Sequence, residues 1–217
     1  FALLNDGDEA IIPAPYWLTY PETVKLCGGV PVILPARSEN GFKITAEELE
    51  SAITPKTKLL IFNSPCNPTG AVYSEKEIRE IAAVCVRRGV FVLSDEIYEK
   101  LVYGGVKHFS IASVSEEMKN LTVTVNGVSK TYAMTGFRIG YLAAPKEIAA
   151  AIDSFQSHAT SNPNSIAQAA AVAALNGPTD DLEAMVAEFQ ARRDLMIRMI
   201  EDTGVLTCTH PKGAFYI

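Results

Sequence analysis

The sequence predicts an α/β protein with a mostly parallel sheet in a three-layer αβα arrangement, and three observations carry that expectation. Six short apolar, β-branched runs recur, at Glu9–Pro13, Val30–Leu34, Lys58–Asn63, Val90–Ser94, Leu121–Asn126 and Ile139–Ala143. Helical patterns lie between them, and strands spaced by helices belong in a sheet covered on both faces. Several runs also end in polar or small residues: Asn63-Ser64-Pro65, Ser94-Asp95-Glu96 and Asn126-Gly127-Val128-Ser129-Lys130. In open α/β sheets, ligands bind where strands end in this way.

The helices have their own signals. Ser74 and Glu77 form a capping box ahead of an apolar-periodic segment to Arg87, and Thr45 with Glu48 opens a helix ending near Ile53. Lys146 to Leu175 reads as largely helical, interrupted at Ser161-Asn162-Pro163-Asn164, with Ser165 as the new cap. After Asn176-Gly177-Pro178 a long helix is expected from Asp180 to Asp202. Gly204 to Ile217 reads as a strand pair or a strand and turn. The expected division is a large domain over residues 1–175, then a connecting helix and the start of a smaller α+β domain over 176–217. The apolar opening at Phe1 and the stop inside Gly213-Ala214-Phe215-Tyr216-Ile217 suggest a segment of a longer protein.

Composition narrows the function classes. The 217 residues, 48% hydrophobic and 20% charged, suffice for one sizeable core and exclude a disordered chain. Nineteen Lys and Arg against twenty-five Asp and Glu give a formal charge of −6, with the basic residues scattered, so nucleic acid is not an expected partner. No apolar run reaches the roughly 18 residues a membrane helix needs. Cys27, Cys66, Cys85 and Cys208 have no ligand spacing and read as free thiols of a reducing, cytoplasmic compartment. His108, His158 and His210 are isolated in sequence and read as surface or packing residues, so no metal is expected.

Six residues are candidates for chemistry. Lys130 follows a buried strand at the ligand-binding edge, where desolvation favours the neutral amine that attacks a carbonyl to form a Schiff base; taken alone, it reads more readily as a surface lysine. Asp95 ends another strand, where a carboxylate can keep a heteroaromatic ring nitrogen protonated, or can simply cap a helix. Tyr98, three residues on, returns to the same side with a hydroxyl. Asn67 sits in the rigid loop Asn63-Ser64-Pro65-Cys66-Asn67-Pro68-Thr69-Gly70, with plain turn chemistry as the alternative. Arg138 offers a planar fork to a phosphate or carboxylate, or to an ion pair. Trp17, the single Trp, can stack on a planar ring or fill the core.

Together these residues resemble the class I and II pyridoxal-phosphate aminotransferases of the aspartate aminotransferase superfamily, fold type I. The likeness runs from Gly7-Asp8-Glu9 through Pro13-Ala14-Pro15-Tyr16-Trp17, Asn67-Pro68-Thr69-Gly70 and Ser94-Asp95-Glu96-Ile97-Tyr98 to Gly213-Ala214-Phe215-Tyr216. The run Ser129 to Tyr141 is most similar to the bacterial-type aspartate and prephenate aminotransferase branch. The resemblance implies that Lys130 anchors pyridoxal phosphate and shuttles the proton at the substrate α-carbon. It further implies that Asp95 pairs with the ring nitrogen, Tyr98 and Asn67 bond the phenolic oxygen, Arg138 binds the phosphate and Trp17 stacks on the ring. Trp17 and Asn67 would also line the amino-acid pocket. The implied activity is transamination between an L-amino acid, aspartate or glutamate, and a 2-oxo acid, in a homodimer. Other fold-type-I activities (aromatic, alanine or prephenate aminotransferase, or lyase) and a cofactor-sensing regulator domain share these residues. One departure stands out: relatives often carry a serine phosphate ligand three residues before the lysine, and this chain has Gly127 there. A glycine-rich phosphate loop and a carboxylate-binding arginine would lie outside the chain, so the segment alone is expected to turn over little or nothing.

Overall fold

The computed structural model describes residues 1–217. The six apolar runs form β1 (Glu9–Ala14), β2 (Val30–Pro35), β3 (Thr57–Asn63), β4 (Phe91–Asp95), β5 (Thr122–Gly127) and β6 (Gly140–Ala143). They make one sheet in the order β2-β1-β3-β4-β5-β6, in which only the β5/β6 pair is antiparallel. This is the α/β architecture expected from the sequence.

Helices cover both faces because the strands are apolar on both. Ile11, Leu60 and Phe62 point to one side, where they pack with Ile78, Ile81 and Cys85 of α3 (Glu75–Arg88) and Leu49 of α2 (Ala46–Ala52). Their neighbours Ala10, Ile12, Leu59 and Ile61 point to the other, against Tyr20 and Val24 of α1 (Thr19–Leu26). That period of two is the pleat of a strand buried on both sides. The α1 helix is one the sequence patterns did not single out; it is short and has no side-chain cap.

Both capping boxes form. The Glu77 amide donates to Ser74 Oγ at 3.4 Å while Glu77 Oε2 accepts from the Ser74 amide at 2.7 Å, and Thr45 with Glu48 makes the same exchange. Gly89 ends α3 in the left-handed region, at φ 65°. Beyond the short α4 (Glu116–Asn120) and α5 (Val128–Thr131), the chain continues through α6 (Lys146–Ala159), α7 (Ser165–Asn176) and α8 (Asp180–Glu201).

Two expectations are corrected. The cap of α7 is Asn164, whose Oδ1 accepts from the Ile166 and Ala167 amides at 3.0 and 3.1 Å, and Ser165 is the first helical residue. Asn fills the cap position as well as Ser does, so the boundary moves by one residue. Gly204 to Ile217 contains no strand; its one sheet-like contact is an isolated antiparallel bridge between Gly213 and Val102. Apolar residues here, such as Val205 and Leu206, stay exposed because no neighbouring strand offers them a ladder.

Leu60, fully buried between β3's neighbours and α3, tests the core. Leu60→Ala is expected to cost about 2–5 kcal/mol through lost burial and a residual cavity, read as a lower urea midpoint at unchanged m-value.

Candidate active site

Parallel register assembles the site. Asn63 pairs with Asp95, and Asp95 with Val125, so β3 and β4 end level at one edge while β5 runs two residues further, to Gly127. The chain order reverses beside them, since β2 lies on one side of β1 and β3 on the other, and such a switch point opens a crevice beyond the strand ends. A cavity of about 290 Å³ lies there, lined by Asn63, Asp95 and Val125 from the strands, Trp17 and Tyr20 after β1, Asn67 after β3, Ile97 and Tyr98 after β4, Lys130 in α5, and Tyr216. Five of the six candidate residues therefore converge: Lys130, Asp95, Tyr98, Asn67 and Trp17.

Asp95 is held by donors and meets no cation. Tyr20 donates its hydroxyl to Oδ2 at 2.6 Å, and the Ile97 amide donates to Oδ1 at 3.1 Å. Burial pushes the carboxyl pKa up, while the Tyr20 and Ile97 hydrogen bonds pull it down. No Lys, Arg or His forms an ion pair with it. Asn63 secures the surrounding backbone: its Nδ2 donates to the Asp95 carbonyl at 2.9 Å, and its Oδ1 accepts from the Asn67 amide at 2.8 Å. Asn67 is thereby tied to the end of β4.

Lys130 stands in the one-turn helix α5, half-buried, with aromatic faces for company. Its Nζ lies 5.9 Å from the ring centre of Tyr98 and 5.5 Å from that of Phe215. The Tyr98 hydroxyl meets that of Tyr216 at 2.7 Å, and burial pushes the Tyr98 pKa upward. Trp17 sits edge-on to Tyr20, at 5.4 Å and 90°, and is 47% exposed, so it borders the cavity and is not core filling.

Arg138 lies apart from this group. It lines a separate hollow with Gln156, Asn162 and Asn164, and its guanidinium donates to the Thr135 carbonyl at 2.8 Å. Gly127 leaves no room for a side chain: a Cβ would sit 2.9 Å from the Ile139 carbonyl oxygen and 3.2 Å from Ile97 Cδ1. The close β5/β6 approach at Gly127 and Gly140 is what excludes it.

Known proteins place this geometry. A family model described as aminotransferase class I and II matches residues 1–217. The chain belongs to that family. It is 53% identical over 215 residues to the aspartate aminotransferase of Geobacillus stearothermophilus, covering 99% of this chain and 55% of that protein. It is 50% identical to the aspartate/prephenate aminotransferase of Cereibacter sphaeroides, over all of this chain and 54% of that one. The crystal structure of the aspartate aminotransferase from Rhizobium meliloti superposes with a TM-score of 0.96 at 48% identity, covering 98% of this chain and 54% of that one. An aromatic aminotransferase from Pyrococcus horikoshii superposes with a TM-score of 0.95 at 42% identity, over 98% of this chain and 57% of that one. The chain thus spans about half the length of the relatives it matches.

In this aminotransferase chain, sequence reasoning overlooked Tyr20, Asn63 and Tyr216 as site residues. Tyr20 had a usable signal, three residues after Trp17 and so on the same side of a helical turn. Asn63 ends a strand level with Asp95, and Tyr216 lies in the Gly213-Ala214-Phe215-Tyr216 motif, which carried no signal that it reaches the site. His108 is also less isolated than its sequence position implies: Nε2 meets Glu96 Oε2 at 2.8 Å, and buried Glu96 accepts from Ser94 and Ser110 at 2.9 and 2.7 Å. Glu99 completes an acid/His cluster with them, although Glu96 already spends its oxygens on these hydrogen bonds.

The unpaired carboxylate has a consequence for stability. Because the folded pKa of Asp95 lies above its unfolded value of 3.8, its contribution is fully present below that value and is lost as pH rises through the folded pKa. Without ligand, Asp95→Asn is expected to raise the urea midpoint at neutral pH and to leave it unchanged in strong acid. An unchanged midpoint at neutral pH would show that the carboxylate is not an electrostatic burden.

Proposed function

We propose that the full-length protein is a pyridoxal-phosphate-dependent transaminase, moving an amino group between an L-amino acid and a 2-oxo acid. One observation carries the reading: a half-buried carboxylate without a cation, Asp95, and an amine without a carboxylate, Lys130, face one cavity of about 290 Å³. A planar ligand with a cationic ring nitrogen at one end and an aldehyde at the other satisfies both, and the exposed face of Trp17 offers it a stacking surface. These residues fit pyridoxal phosphate.

The bound group supplies an electron sink for the charge left at the substrate α-carbon. Asp95, oriented by Tyr20, keeps the ring nitrogen protonated. Tyr98 and Asn67 would donate to the phenolic oxygen, and Trp17 would offer its face to the ring. Lys130 Nζ would hold the group and is the amine placed to take up and return a proton at the substrate α-carbon. Holding the reacting atoms in one orientation is worth up to roughly 7–11 kcal/mol when fully realised. Arg138 would serve the phosphate in this scheme through the guanidinium N–H groups that its bond to the Thr135 carbonyl leaves free. Gly127 adds no side-chain ligand.

Residues 1–175 are read as the cofactor-binding domain, and 176–217 as a connecting helix with the start of a smaller domain. A homodimer in the cytoplasm completes the proposal; four unpaired cysteines and the lack of any helix long and apolar enough to cross a membrane agree with that setting. Trp17 and Asn67 would also line the amino-acid pocket, and aspartate or glutamate as donor rests on the similarity to the named relatives.

The test uses the full-length protein loaded with pyridoxal phosphate. Adding glutamate or aspartate is expected to shift the visible band to that of the amine form, while Lys130→Ala neither forms the lysine-linked band nor converts. Conversion by Lys130→Ala at the unsubstituted rate, or a loaded protein whose band no amino acid shifts, would overturn the reading.

A further inference from the structure

The segment Pro211–Tyr216 is far from the other site residues in sequence yet is built into the site. The Lys212 and Gly213 amides both donate to the Gly70 carbonyl, at 3.0 and 2.9 Å, and the Ala214 amide donates to the Leu101 carbonyl at 2.9 Å. The Tyr103 amide donates to the Lys212 carbonyl at 2.9 Å, and the Tyr103 hydroxyl to the Ala214 carbonyl. Contact is close enough that a Cβ on Gly213 would lie 2.6 Å from Pro65 Cβ. The segment is thus clasped between the loop that carries Asn67 and the turn that carries Tyr98.

This clasp delivers Tyr216 to Tyr98. Their hydroxyls meet at 2.7 Å, and neither makes another hydrogen bond within the protein. Two hydroxyls sharing one bond use one hydrogen and leave the other free. Both side chains line the cavity, and the ring of Phe215 packs edge-on to Tyr98 at 5.3 Å and 85°. The titratable groups around the pair are Lys130, Asp95 and Cys66.

We propose that Tyr216 is a positioning residue that acts through Tyr98. By donating to the Tyr98 oxygen, Tyr216 leaves the Tyr98 hydrogen free to point into the cavity, and it makes Tyr98 a stronger donor, because successive hydrogen bonds polarise one another. The inference rests on the cofactor reading above, in which Tyr98 donates to the phenolic oxygen of the ring. A donor there stabilises the charged oxygen and lowers the pH at which the lysine-linked chromophore loses its proton.

The experiment is a pH titration of the visible band of the full-length protein loaded with pyridoxal phosphate. It compares the unsubstituted protein with Tyr98→Phe, Tyr216→Phe and the double variant. Phe keeps the aromatic packing and removes only the hydroxyl, and far-ultraviolet circular dichroism checks the fold. Tyr216→Phe is expected to raise the midpoint in the same direction as Tyr98→Phe and by less. In the Tyr98→Phe background the second substitution should add nothing, the signature of a residue that acts through another. An unmoved midpoint in Tyr216→Phe, or an undiminished shift in the Tyr98→Phe background, overturns this inference and leaves the cofactor reading standing. Failure of the unsubstituted protein to form the band overturns both.

Discussion

Burial of the Asp95 carboxylate without a counter-ion is the interaction on which the rest of the site depends. A half-dehydrated carboxylate is costly unless hydrogen-bonded, and three features of the fold relieve that cost. The β4 end turns so that the Ile97 amide reaches Oδ1, α1 begins at the position that brings the Tyr20 hydroxyl to Oδ2, and Asn63 ties down the backbone behind it. None of these donors is positively charged. The remaining electrostatic demand faces the cavity, where a cationic ligand meets it.

The sheet supplies the rigidity this requires. Asn63, Asp95 and Val125 are level because β3, β4 and β5 are parallel and in register. A slip of one residue in β4 would turn Asp95 to the opposite face and pull Val92, which is fully buried in the larger core, across to the smaller one. The apolar packing that fixes the register therefore also aims the carboxylate. At the neighbouring edge, the backbone contact of Gly127 with Ile139 and Gly140 sets where α5 starts and hence where Lys130 stands.

Much of this was legible in the residues. All six strands appear as apolar runs, with ends within one residue of those observed, because strands buried on both faces need uninterrupted apolar stretches. The capping boxes marked α2 and α3 because the chemistry of a helix start is local. Lys130, Asp95, Tyr98, Asn67 and Trp17 follow strand ends, and the parallel topology brings strand ends together. Arg138 instead precedes a strand, β6; its backbone is left-handed at φ 56°, its guanidinium bonds the Thr135 carbonyl, and it lines a different hollow. The strand expected near the C-terminus did not form, since a β ladder needs a partner that local sequence cannot supply.

By itself, then, the sequence determined the alternation of strand and helix, the capped helix starts and the set of strand-end residues able to do chemistry, all of which depend on patterns a few residues long. Only the tertiary structure decided that Tyr20 donates to Asp95 across 75 positions and that Tyr216 meets Tyr98 across 118. It also decided that Arg138 lines a separate hollow. Those outcomes depend on which surfaces the packed core leaves facing one another, and no short-range pattern encodes that.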